Sequence, residues 1–174
     1  MDKKPPKEPK KITPRYLENA ALYYLQRFAT STKNFKQVLK RKIDKSCAFH
    51  KTVPADFYPL VDKLAERYEA TGLLNDPVFA RAKTATLRRQ GKSQRAIEAK
   101  LQHKGLSKND ISAALIDIDE SATAELDAAV ALVKRKKMGQ GRKDMQKELA
   151  VLGRAGFSYE IARKALAFEE EEIT

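Results

Sequence analysis

The sequence has no tryptophan, one cysteine and two histidines. A single Cys47 excludes a disulfide framework and any cysteine-based metal site. His50 and His103 have no second ligand at helical spacing. No apolar run reaches the ~18 residues that a membrane span requires. The charged, proline-rich start (MDKKPPKEPKKI) lacks the apolar core of a signal peptide, so a cytoplasmic location is expected. Gly139-x-Gly141 neither follows a predicted strand nor ends in Gly-Lys-Ser/Thr, which excludes a phosphate-cradling P-loop. Acid is also in deficit. Lys plus Arg number 35 against 23 Asp plus Glu, a net charge of +12, so the expected partners are anionic.

What is present is helical. Apolar residues make up 42% of the 174 residues, enough for a core, while mean hydropathy is only −0.59. An internal repeat organises them. Leu25, Arg27, Ser31, Phe35, Leu39 and Lys42 recur 62 residues later as Leu87, Arg89, Ser93, Ile97, Leu101 and Lys104. The shared pattern L-x-R-x3-S-x3-[F/I]-x3-L-x2-K joins one helix end, a serine cap and the apolar stripe of the next helix. A second echo lies 51 residues apart, relating Leu101, Gly105, Ser107, Ala114 and Leu115 to Leu152, Gly156, Ser158, Ala165 and Leu166. Self-similarity at such periods indicates a stack of small helical units. The expected fold is therefore all-α: tandem three-helix bundles, about nine helices, in an elongated curved array.

The expected divisions are a flexible basic tail at 1–12, repeats at 13–74, 75–120 and 121–168, and an acidic tail at 169–174. In the first repeat Thr13-Pro14 starts a helix with Ala21, Leu22, Leu25 and Phe28 on its stripe to about Ala29. Ser31 starts the next, with Phe35, Val38, Leu39 and Ile43 buried. Ser46–Phe57 reads as a loop leading to Phe57–Glu69, where Leu60, Val61, Leu64 and Tyr68 face inward and Gly72 stops the chain. In the second repeat Asp76-Pro77 opens a helix with Phe79, Ala82, Thr86 and Leu87 inward. Ser93 and Ser107 start the following two, the latter with a Ser-x-x-Asp capping pattern. Truncating Leu39 or Leu101 to Ala is expected to cost about 2–5 kcal/mol, and each serine cap contributes roughly 1 kcal/mol.

Catalysis finds little footing. Cys47 and His50 lie three apart, but no third orienting group accompanies them. A loop cysteine beside a solvated histidine is the better reading, which leaves a Cys47/His50 hydrolase a poor alternative. Asp117, Asp119 and Glu120 lack the glycine and closing glutamate of a calcium loop. The surviving signal is basic. Arg81, Arg88 and Lys92 fall on one stripe opposite Phe79 and Ala82, with Arg89 and Arg95 nearby in sequence. Lys134, Arg135, Lys136, Lys137, Arg142 and Lys143 crowd the third repeat. Such clusters are candidate contacts for phosphates or a protein partner. Helix surfaces also need charge for solubility, so the clusters select no particular partner. Tyr23 and Tyr24 lie on a helix expected to be core, which argues against a base-stacking platform.

Three blocks carry a resemblance. They are Ala21-x3-Leu25-x-Arg27-x3-Ser31-x3-Phe35-x3-Leu39, Gly72-Leu73-Leu74-Asn75-Asp76-x2-Phe79-Ala80, and Gly91-x-Ser93-x3-Ile97-x3-Leu101-x2-Lys104-Gly105. In this order the chain from about Tyr16 to Leu166 resembles the RecX family, regulators of the RecA recombinase. The resemblance implies tandem three-helix repeats and no enzymatic activity or cofactor. It further implies a protein that binds the RecA–DNA filament and limits recombinase activity, strand exchange and ATP hydrolysis in DNA repair and recombination; a monomer is expected, though no sequence feature fixes the oligomeric state. The alternative is a basic helical protein that binds single- or double-stranded DNA, or RNA, directly.

Overall fold

The computed structural model describes residues 8–119, 123–138 and 145–172. Among them are nine α-helices, one short 3-10 turn and no strand. The chain divides into two compact units, Met1–Asp76 and Pro77–Thr174.

The first unit holds α1 (Pro14–Leu25), α2 (Thr32–His50), a 3-10 turn (Pro54–Asp56) and α3 (Tyr58–Ala70). Each of the first two helices has a hydroxyl cap. Tyr16 N–H donates to Thr13 Oγ1 at 3.2 Å, and Asn34 N–H donates to Ser31 Oγ at 3.3 Å, which satisfies donors that a helix start leaves open. Asp76 Oδ1 accepts from Thr32 N–H at 2.8 Å and so covers another at the start of α2. The core combines Leu17 and Ala21 of α1, Phe35, Leu39 and Ile43 of α2, and Val61, Leu64, Ala65 and Tyr68 of α3. Phe35 meets Tyr68 edge-on with ring centroids 5.9 Å apart.

Three expectations are corrected here. Ser46–Phe57 is not one loop: α2 continues to His50 because Cys47 extends the Phe35, Leu39, Ile43 stripe by another turn and is buried, at 1% exposure. The helix stops where Lys51 turns left-handed, φ 56°. The flexible tail does not include residues 8–12. Ile12 is buried in the core, Ser46 Oγ donates to the Lys10 carbonyl at 2.8 Å, and His50 Nε2 lies 2.8 Å from the Pro9 carbonyl. Finally α1 ends at Leu25, and Leu22 and Phe28 are exposed. The turn that follows carries the chain away before a further helical turn can face the core.

The second unit contains α4 (Asp76–Arg89), α5 (Gln94–His103), α6 (Lys108–Ile118), α7 (Ala124–Lys136), α8 (Met145–Arg154) and α9 (Tyr159–Glu172). The α9 backbone is helical through Glu169–Glu172, so the helix runs into the stretch expected as an acidic tail at 169–174. One core gathers Ala80, Leu87, Ile97, Leu101, Leu106, Ile111, Ala114 and Leu115. Another gathers residues of α7 to α9, including Leu132, Val133, Leu152, Phe157 and Leu166. The buried face of α4 is Ala80, Thr84 and Leu87, with Phe79 partly covered. Ala82 is exposed, a rotation from the expected face, because Leu87 sets the inward direction and Ala80 and Thr84 share its side.

Two glycines lock these cores together. Gly91 is left-handed, φ +65°, and a Cβ there would sit 2.9 Å from the Ala128 carbonyl oxygen and 3.3 Å from Leu132 N. At Gly156, φ +97°, a Cβ would sit 2.5 Å from Ser93 Oγ. Both positions therefore require glycine for conformation and for space. Ser93 serves both sides, accepting from Ala96 N–H at 3.2 Å and donating to the Ala155 carbonyl at 2.7 Å.

Candidate nucleic-acid interface

The basic residues singled out in the sequence divide into different surroundings. Arg88 is spent inside the second unit, its side chain only 9% exposed. Its Nε donates to Asp119 Oδ1 at 2.8 Å, its Nη2 to Asp119 Oδ2, and its Nη1 to Glu125 Oε2 and to the Lys92 carbonyl. This fork on a carboxylate is the pairing guanidinium geometry favours. Burial alone disfavours the Arg88 charge, but the hydrogen bonds from Asp119 and Glu125 overcome it and hold the guanidinium above its ordinary range. Glu125 also accepts from Gln94 N–H at 3.0 Å, covering the start of α5. Arg88 is thus corrected from docking candidate to internal tie between α4, the end of α6 and α7.

Arg81 is exposed and pairs through Nε with Asp117 Oδ2 at 2.6 Å. With Asp117 on Arg81 and Asp119 on Arg88, those acids neutralise arginines; Glu120 lies outside the described residues. The expected Arg81–Arg88–Lys92 stripe is consequently broken up by ion pairing. Arg89 and Arg95 are exposed, as are Lys134, Arg135, Lys136 and Lys137. Arg142 and Lys143 lie outside the described residues.

The structure brings part of this set together with residues that no sequence cluster marks. Lys92, Lys100, Arg135, Lys136 and Arg154 line a concave site of about 430 Å³, with Gly91, Ala96, Leu132, Val151 and Ala155 as its apolar wall. No Asp or Glu lines it among the described residues. Arg135 is fixed by donating from Nη1 to the Gln90 carbonyl at 2.6 Å. Lys100, Arg135, Lys136 and Arg154 sit in the last turns of α5, α7 and α8. A cation there complements the negative end of the helix dipole, so each is stable where it stands. Together they make a concave surface of one sign of charge, complementary to a phosphate. Lys100 and Arg154 are isolated in sequence, which is why only the fold reveals them. Gly91 packs on the middle of α7 and Gly156, just past α8, packs on the start of α5, which sets these three helices side by side.

The cysteine–histidine pair does not assemble into a reactive site. Cys47 is buried in α2, and His50 is turned to the Pro9 carbonyl. No group of three or more His, Cys, Asp or Glu able to hold a metal occurs among the described residues. No described helix is long and apolar enough to cross a membrane.

Comparison with known proteins gives concordant results. A family model described as "RecX, second three-helix domain" matches residues 75–115. The chain is 37% identical over 168 residues to a regulatory protein RecX of Myxococcus xanthus, covering 92% of this chain and 89% of that one. It is 30% identical over 163 residues to a regulatory protein RecX of Agrobacterium fabrum, covering 90% and 85%. A crystal structure of RecX from Lactobacillus salivarius superposes with a TM-score of 0.64 at 22% identity, over 92% of this chain and 97% of the other. At that identity the likeness speaks for the fold.

Proposed function

The chain belongs to the RecX family of regulatory proteins, which are not enzymes, and from that premise we propose that it docks on the filament the RecA recombinase forms on DNA and restrains strand exchange and ATP hydrolysis there. The observation that carries this reading is the acid-free cleft of Lys92, Lys100, Arg135, Lys136 and Arg154. A nucleoprotein filament presents phosphates at regular intervals. Four cations on three helices, with Lys92 from the turn before α5, can meet several of them without any change in the protein. Several weak phosphate contacts made at once add avidity, because each later contact forms at high effective concentration. Bound in this way, the protein occupies space that an incoming duplex or recombinase subunit needs. The site of action is the cytoplasm, where such filaments form.

The test is co-sedimentation of the full chain with RecA filaments on single-stranded DNA across a salt series. Lys100→Gln, Lys136→Gln and Arg154→Gln combined should weaken binding and reduce the salt slope by about 2, roughly 0.7 for each single-strand phosphate no longer neutralised. Glutamine removes charge without introducing an acid at a helix C-terminus. Unchanged binding by the folded variant excludes the cleft from the interface.

The same cleft supports a second reading, direct binding of naked nucleic acid. Steeply salt-dependent binding to DNA alone, with no effect on RecA, selects that alternative.

A further inference from the structure

Tyr23 and Phe28, on or just beyond the end of α1, are 55% and 56% exposed, contrary to the core position expected for this helix. Their arrangement is specific. The Arg27 guanidinium lies over the Tyr23 ring, 4.0 Å from its centroid. Phe28 packs against Tyr24 with centroids 5.3 Å apart and planes inclined by 37°. The Tyr24 hydroxyl accepts from Asn34 Nδ2 at 3.1 Å, and the same amide donates to Thr30 Oγ1 at 2.7 Å. Phe28 therefore rests on a ring tied down by hydrogen bonds, and Tyr23 is already stacked on a cation.

The chain segment that carries them is charged with one sign. From Asn19 to Ile43 the chain has no Asp or Glu but carries Arg27, Lys33, Lys36, Lys40, Arg41 and Lys42. Lys36 pairs with Asp62 at 2.9 Å, and Lys40 and Lys42 lie over the Tyr58 and Tyr16 rings. Asp76, which reaches the start of α2, is engaged by Thr32 N–H. An acidic protein surface would satisfy the cations and leave the rings in water. A second copy of this chain would bring like charge against like. Unpaired bases linked by phosphates match both features, since every base offers a π-face and every link a negative charge.

We propose that Tyr23, Arg27 and Phe28 form a base-stacking site for single-stranded DNA on the first unit. The site is separate from the cationic cleft of the second unit. It adds to the filament reading a contact with exposed bases, and it stands or falls independently of RecA.

Because the chain has no tryptophan, Tyr23→Trp in the full-length protein gives an emission that reports this position alone. The probes are oligo(dT) of about 15 nucleotides, an abasic strand of the same length, oligo(U) and a blunt duplex. The proposal expects quenching by oligo(dT) and little by the abasic strand or duplex. It also expects Tyr23→Ala with Phe28→Ala to lose on the order of tenfold in affinity for oligo(dT), with melting unchanged because both rings are exposed. Phe28→Trp serves as a second reporter with the same expectation. Absent quenching in both reporters, equal quenching by the abasic strand, a preference for oligo(U), or a signal that changes with protein concentration without DNA overturns it. RecA ATP hydrolysis measured with the same variants separates the two ideas. Inhibition without quenching removes the stacking site alone; quenching without inhibition removes the filament reading alone.

Discussion

Arg88 is the residue on which the second unit's polar interior turns. Removing its side chain leaves Asp119 and Glu125 facing each other without their shared cation. Breaking such a largely buried pair costs about 3–5 kcal/mol, so Arg88→Ala should lower the chemical-denaturation midpoint by a matching amount. Arg88→Lys keeps the charge but not the two-pronged contact, and should recover only part of that stability. Charge reversal at Arg81, by contrast, disturbs one exposed pair and should change stability by less than about 1 kcal/mol. The sequence cannot distinguish these two arginines. Both sit on α4 among similar neighbours, and their difference is made by Asp119 and Glu125, which lie 31 and 37 positions further on from Arg88. Leu39 and Leu101 were legible, because each sits mid-stripe between other apolar residues, and both are buried. Leu39→Ala should cost about 2–5 kcal/mol in the same measurement.

At the scale of elements, the serine-capped helix starts were readable because a cap is a local contact. Ser31, Ser93 and Ser107 each accept from a backbone N–H three residues on, and the spacing alone displays it. Less legible were faces and ends. The inward side of α4 rotated away from Ala82, and α2 ran past Ser46, because both depend on what packs opposite. The Gly91 and Gly156 turns read as ordinary helix stops in sequence, yet they also serve as the contact surfaces between neighbouring cores. A methyl group at Gly156 would meet Ser93 Oγ and force a left-handed alanine. Gly156→Ala should therefore destabilise by about 1–3 kcal/mol, whereas Gly153→Ala, with nothing near its Cβ, should be neutral or slightly stabilising within α8. Comparing the two thermal midpoints checks the interlock. The cationic cleft draws Lys100 from α5 and Arg154 from α8, distant in sequence, so neither carried a signal of its own.

At the scale of the whole molecule, two compact units present different chemistry. The second offers clustered cations and the first exposed rings. Family membership was legible from three sequence blocks, because they encode caps, stripes and stops that the fold cannot do without. The cationic cleft was only partly legible: Lys92, Arg135 and Lys136 stand in basic clusters of the sequence, while Arg88, from the same clusters, is drawn into an internal ion pair. Titrating the full chain into RecA filaments assembled on single-stranded DNA, and following ATP hydrolysis, tests the central claim most directly. The account predicts inhibition at well below one protein per recombinase subunit, weakened in the Lys100→Gln, Lys136→Gln, Arg154→Gln variant. Hydrolysis that continues unchanged at excess protein, while the chain still binds naked DNA, would contradict it.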